Sequence, residues 1–378
     1  MFYLYSFIPL SVHYIFYTTI SFIAGITLFY FCQFSWYIMA AIICLSIIPL
    51  IFPTRSLIKN SLFYCIGAAL TIGYLFSVHQ KNNYRDFQQT LLNKSFTIQA
   101  SVSDIEEIQH PHYRCKIRVQ LQSFHTDQAF KSSQRLLLYV TRYPSCIIGD
   151  LIEIKNLSIK EINNASFVNY LIKEKIVATI FIEDFIWTLI ARPSFDFGRF
   201  AYLLRKKIYL QLRKKINRET FALFSSVFLG NRTQVKKQMD SKKELFKIWG
   251  TSHYLARSGL HLIIFVIVWH FLLCLMPFSY TFKQILLVIL VFLYALFSWS
   301  SISFERSLLM LYIYRACVLT RTPSHYVHLI SLVTLIVLCI NPYQLFFLDF
   351  QLSFGLTFAL AWFNHIEAHK KRALSLKY

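Results

Sequence analysis

Carboxylates are what this sequence has least of. Its 378 residues hold 18 Asp and Glu against 39 Lys and Arg, and all four charged types make up only 15% of the chain. An ordinary soluble surface needs more charge than that. Other signatures are missing too. The eight cysteines form no CxxC pair and no zinc spacing, which argues against a redox or zinc centre. No GxxxxGK[ST] loop is present, so ATP-driven pumping by this chain is not expected. HIEAH at His365–His369 is not the HExxH order, and His110-Pro111-His112 has no carboxylate cluster beside it. Ser258 and His261 stand three apart without an acid to complete a triad. These absences point away from an enzyme, a metal site or a cofactor. The N-terminus also lacks the basic region of a cleavable signal, so the first apolar block reads as retained.

What the chain has instead is apolar mass and positive charge: 56% hydrophobic residues, 37 Phe, 23 Tyr and a net charge of +21. Apolar blocks fall at Leu10–Phe31, Trp36–Phe52, Leu62–Val78, Tyr254–Met276, Ile285–Trp299, Phe304–Leu319, Val327–Ile340 and Leu345–Phe363. Each approaches the ~20 residues that cross a bilayer. Arg55 and Lys59, then Lys283, Arg315, Arg321 and Lys370-Lys371-Arg372, fall on one side if both ends are cytoplasmic. The expectation is a polytopic α-helical membrane protein of about eight transmembrane helices, in a cell membrane. The charge suits a polyanion, either anionic membrane lipids or nucleic acid.

Between about Asn82 and Ile190 the texture changes. KIRVQLQ and DLIEIKNL alternate apolar and polar residues, as half-buried strands do. Five strands are expected, at Lys94–Ile105, Tyr113–Phe124, Gln134–Arg142, Asp150–Ile159 and Ile176–Leu189, with a helix near Ser166–Glu174. That pattern suits a small OB-like barrel, either a binder of single strands through aromatics and cations or a spacer. Cys115 and Cys146 lie in this region, so a disulfide between them is allowed if it faces an oxidising compartment. The domain boundaries read as 1–80, 81–192, 193–250, 251–366 and 367–378.

Phe197–Arg218 places Phe200, Leu204, Ile208, Leu212 and Ile216 every four residues, with Arg205, Lys206, Lys207, Arg213, Lys214 and Lys215 between them. An apolar stripe opposite dense positive charge describes a helix at a membrane surface, or the basic entrance for a polyanion. Phe221–Gly230 is apolar and short, so a re-entrant or interfacial element is expected there. Trp249–Leu262 then sets His253, Arg257 and His261 at the mouth of an apolar segment. A cation near the bilayer midplane costs about 2.5–3.5 kcal/mol on insertion scales, so such groups face protein or water. Glu305, Arg306, Gln351 and Ser353 interrupt later apolar runs, as interhelical glue or as the lining of a conduit.

GTSHYLARSGLHL, the preceding LGNR, ERSLLMLYIYR and NP…LDFQLSF, in that order, resemble the ComEC family of competence proteins. NYLIKEKIVATIFI resembles the segment leading into that family's last OB strand. Arg257 stands where the family is usually apolar, Asn231 where Asp is common, and Ser307 where Ala is usual. No HxHxDH cluster of a metallo-β-lactamase-like domain is found, so the resemblance is to a short form. It implies an inner-membrane channel component that passes single-stranded DNA into the cytoplasm, with the OB-like domain outside. It further implies a periplasmic DNA receptor and a cytoplasmic helicase or translocase in trans, and is compatible with a homo-oligomer. Arg232, Ser252, His253, Arg257, Ser258, Gly259, His261, Glu305, Arg306, Gln351 and Ser353 are the residues expected along the DNA path. A membrane scaffold or non-DNA transporter that keeps the fold is the alternative.

Overall fold

A computed structural model of the chain describes residues 8–31, 57–91, most of 95–229, 248–249, 259–298, 302–322 and 326–375. The chain divides into two units, one of Gln80–Arg257 with Leu293–Trp299, the other of Met1–His79, Ser258–Phe292 and Ser300–Tyr378.

The first unit is built on a six-stranded sheet: β1 (Ser95–Glu107), β2 (Cys115–Phe124), β3 (Arg135–Val140), β4 (Leu151–Ser158), β5 (Ile176–Ile182) and β6 (Trp187–Ala191). Period-two alternation sends Ile117, Val119 and Leu121, then Leu136, Leu138 and Val140, to one face, where they join Ile98, Ile152, Ile154 and Ile180 in a buried core. Each such side chain contributes about 1.5–3 kcal/mol when fully removed from water. The strand order is β5-β3-β2-β1-β4-β6, antiparallel except for β3 with β5. A parallel pair needs a crossover, and α3 (Ala165–Lys173) supplies it. Asn164 starts that helix by accepting hydrogen bonds from the Ser166 and Phe167 amides at 3.0 and 3.2 Å.

The closed barrel expected from the sequence is not formed. The single strand expected over Ile176–Leu189 is two strands, and they lie on opposite edges of the sheet. Because β6 takes the outer edge of β4 while β1 holds the inner one, β4 has no edge left to close on β5. Cys115 and Cys146 are both buried and carry free thiols in this structure, Cys146 within the apolar core of the sheet.

After β6, α4 (Phe197–Lys215) starts at Asp196, whose carboxylate accepts from the Gly198 amide at 2.8 Å. A short helix α5 (Arg218–Phe224) and a π-turn (Ser225–Leu229) follow over the stretch expected to be re-entrant. The buried carboxylate of Asp150 ties these parts together. It accepts from the Ile147 amide at 3.0 Å and from Arg199 of α4 at 3.0 Å, and it pairs with Arg192 at 3.5 Å.

The second unit is helical: α1 (Ile8–Phe31), most of α2 (Leu57–Leu91, which runs on past His79), α6 (Gly259–Cys274), most of α7 (Tyr280–Phe297), α8 (Ile302–Leu319), α9 (Tyr326–Ile340) and α10 (Leu348–Ser375). Its core joins Phe22 and Ile26 of α1 to Ile330, Val333 and Leu338 of α9 and to Phe350 and Phe354 of α10. Gly25 and Gly73 let α1 and α2 touch backbone to backbone, since a Cβ at Gly73 would meet the Phe22 carbonyl oxygen at 2.6 Å.

The eight-helix membrane bundle is also corrected. Among the described residues one helix, α7, is long and apolar enough to cross a membrane. As described, α6 and α9 run 16 and 15 residues, about 22–24 Å against a core of about 30 Å. α8 carries Glu305, Arg306 and Arg315 within its 18 residues, and the block at Trp36–Phe52 lies outside the described residues.

Two outcomes follow from the sheet unit. Asp150→Ala takes the buried carboxylate away from the half-buried Arg199 and the exposed Arg192 and lowers the unfolding free energy by about 1–3 kcal/mol in urea titrations of the full chain. A loss under about 1 kcal/mol, within reach of an ordinary surface substitution, would show that the carboxylate is not the tie described. Burial also pushes the Cys115 and Cys146 thiols up to about 11 from 9.0. The folded state therefore favours the protonated thiol, a contribution complete below pH 9 and lost as pH rises towards 11. Serine at both positions flattens that alkaline limb of the stability profile.

Candidate functional site

α8 is the helix from which polar side chains reach its neighbours. Gly259, the first residue of α6, is buried, and a Cβ added there would overlap Ser307 Oγ on α8. Ser307 in turn donates to the Ser303 carbonyl at 2.9 Å. The glycine is required for close approach: the position one residue after Arg306 carries the hydroxyl that α6 must accommodate.

Arg306 turns towards α10. Its Nη1 donates to Thr357 Oγ1, its guanidinium lies 5.6 Å from the Phe354 ring centroid, and Thr357 donates onward to the Ser353 carbonyl at 2.8 Å. Nine residues further on, Arg315 donates to the buried Gln284 of α7 at 2.5 Å. Nine helical steps rotate the side chain about 180° and advance it about 13 Å, so the two cations leave α8 on opposite faces. Both are held by neutral oxygens and rings, and the Nε of each is buried without a hydrogen-bond partner. A partly buried guanidinium whose partners are neutral keeps its charge and spare donors for an anion.

The structure thus brings together Gly259, Arg306 and Ser353 with Ser307 and Thr357, but not all the expected path residues. Gln351 is exposed and donates to the Leu345 carbonyl at 2.9 Å, outside that cluster. His261 is buried on α6 beside Leu262. Glu305 is exposed, and Arg306 bonds Thr357 rather than Glu305. Arg232, Ser252, His253, Arg257 and Ser258 lie outside the described residues. Thr357 and Gln284 were missed as partners. Thr357 stands one helical turn after Ser353, a spacing that could have marked it; the pairing of Gln284 with Arg315 depends on tertiary placement alone.

The sheet unit treats charge differently. Tyr139 and Phe181, paired in register across β3 and β5, stack at 5.1 Å, with Tyr113 against Phe181 at 5.4 Å. Beside them Lys116 pairs with Glu106 at 3.9 Å, and Arg118 with Asp104 at 4.0 Å and Glu174 at 3.8 Å. Burial lowers the Arg118 pKa, but those carboxylates outweigh it and hold it above its ordinary value. Both of these cations beside the aromatic rings are thus paired with carboxylates.

On α4 the positions Leu204, Ile208 and Leu212 are half-buried, and Tyr209 packs edge-on against Phe221 of α5 at 4.8 Å. Burial pushes the Tyr209 hydroxyl up to about 12. Of the apolar stripe, Leu204, Ile208, Leu212 and Ile216 are thus half-buried, and Phe200 is exposed. Lys207, Lys214 and Lys215 are exposed.

The family model described as Competence protein matches residues 227–377. This stretch belongs to the ComEC-type competence family. No curated protein and no solved structure matches the chain. The competence domain takes in the end of the π-turn and α6 through α10, and so includes the Gly259–Ser307 contact and both guanidiniums of α8.

Within the competence domain Gly259→Ala forces its new methyl onto Ser307 Oγ and destabilises by about 1–3 kcal/mol, the usual range for overpacking. Thermal unfolding of the full chain in detergent should show most of that loss recovered in Gly259→Ala/Ser307→Ala. Equal losses in the single and double variants would disprove the contact.

Proposed function

We propose that this chain is a membrane component of DNA uptake that passes single-stranded DNA into the cytoplasm of a bacterial cell. The carrying observation is that a competence-family domain holds Arg306 against neutral partners, with guanidinium donors left over. A phosphate moving through a low-dielectric region loses hydration, and a guanidinium prepared in advance offsets that loss. The reading is transport rather than catalysis. Supporting a membrane location, α7 has the length and composition of a spanning helix. The motor and the receptor that delivers DNA are proteins supplied in trans, and Ser353 and Gly259 shape the surroundings of the cation.

The pairing of Lys116 and Arg118 with carboxylates weakens the electrostatic reason for placing strand capture on the sheet. The aromatic stack of Tyr113, Tyr139 and Phe181 still suits bases, but phosphate attraction falls to the helical region in this reading.

The test is transformation of a deletion strain complemented with wild type, Arg306→Leu and Arg306→Lys, with membrane levels matched by immunoblot. Loss of one charged hydrogen bond, about 1.5–3 kcal/mol, corresponds to a fall of about 10–100-fold in transformants for Arg306→Leu. Arg306→Lys should retain part of the activity. Transformation unchanged by deletion of the gene would sink the uptake reading. Wild-type transformation with Arg306→Leu would sink the role of the guanidinium alone.

A further inference from the structure

The outward face of α4 has a composition that its inward face does not predict. At about 100° per residue, Phe200, Leu203, Lys207, Leu210 and Lys214 fall within about 80° of arc. All five are exposed, with the three apolar ones at 56%, 43% and 44%. Leu204, Ile208 and Leu212 occupy the other side, half-buried in the unit. Lys206, Arg213 and Lys215 flank the exposed strip. Among the described residues none of these five cations joins an ion pair; Lys206 lies 5.9 Å over the Tyr202 ring. Arg213, Lys214 and Lys215 complement the C-terminal end of the helix dipole, which accounts for their position but not for three bare apolar side chains between cations.

A second observation locates this face. Arg205, on the inner side of α4, donates from Nη2 to the Leu296 carbonyl at 2.8 Å. Leu296 lies in the last turn of α7, the helix of membrane-crossing length, and residues 293–299 belong to the same unit as α4. A spanning helix ends where hydrocarbon gives way to headgroups, so a helix bonded to its last turn sits at that depth. Leucine offers no flat face for a nucleobase, whereas alternating leucine and lysine let apolar bodies enter the acyl boundary while ammonium groups snorkel to phosphates.

We infer that the Phe200–Leu203–Lys207–Leu210–Lys214 face of α4 docks on the surface of an anionic lipid bilayer, at the end of α7. The contact is independent of whether DNA is carried. Its occupant is the phosphodiester headgroup and upper acyl chain of an anionic lipid.

The test uses the full chain with p-benzoylphenylalanine in place of Leu203, reconstituted without DNA into vesicles of phosphatidylcholine alone or of an equimolar mixture with phosphatidylglycerol. Irradiation should give phosphatidylglycerol adducts by mass spectrometry in the mixed vesicles. Each cation near an anionic surface contributes roughly fivefold, so Lys207→Glu/Lys214→Glu should lower adduct yield at least about tenfold. No lipid adduct, equal adduct yield with and without phosphatidylglycerol, or yield unaffected by the double substitution overturns the inference. Cross-linking to added single-stranded DNA in preference to lipid overturns it in favour of a strand-entry surface. Because no transformation is scored, failure here is distinguishable from failure of the uptake reading.

Discussion

A single carboxylate with no exposure to solvent organises the sheet unit. Asp150 follows Gly149, whose φ of 90° belongs to the left-handed region that glycine tolerates. A Cβ at Gly149 would meet Asp196 Oδ2 at 2.8 Å, so the turn is also packed against the start of α4. The Gly149 amide donates to the Val102 carbonyl at 2.8 Å and the Val102 amide to the Asp150 carbonyl at 3.0 Å. With its side chain held by Arg192 and Arg199, Asp150 sets the register of β4 on β1, the exit of β6 and the first turn of α4 together. A buried charge is costly unless it is paired and hydrogen-bonded, and here both conditions are met.

The net charge of +21 is handled in three physically different ways. On the sheet, Lys116 and Arg118 face carboxylates, and their field cancels at short range. On α8, Arg306 and Arg315 meet hydroxyl and amide oxygens, which orient a guanidinium without neutralising it. On α4 the lysines stand in solvent among leucines. Total charge could not distinguish these cases, because only the neighbours decide whether a cation projects a field.

Much of the local structure was legible in the sequence. Alternation in KIRVQLQ and DLIEIKNL located β2 and β4, and four-residue spacing located α4 to within a few residues. Motif order pointed to the competence family, and the match over 227–377 agrees. Sheet closure was not legible. It depends on which strand occupies the second edge of β4, and no pattern in FIEDFIWTLI announces that β5 and β6 part to opposite edges. Helix count across a membrane failed for a related reason: apolar runs measure composition, whereas span depends on where turns cut the run, as the turn after Cys274 ends α6. The Phe200–Ile216 stripe was read as amphipathic, but periodicity could not say that Leu204, Ile208 and Leu212 are half-buried while Phe200 is exposed. Arg306 was singled out as an interruption, while its partner Thr357 required knowledge of helix packing.

Arg205 carries a mechanical implication. Every α-helix leaves its last four carbonyls without intrahelical donors, and the Leu296 carbonyl near the end of α7 is met by a guanidinium from α4. A bond of 2.8 Å does not survive an axial slide of one turn, about 5.4 Å. Within their unit, α4 and the last turn of α7 therefore share one register: that turn cannot slide past α4 without exposing a carbonyl. Any axial displacement of that turn would be felt first at this joint.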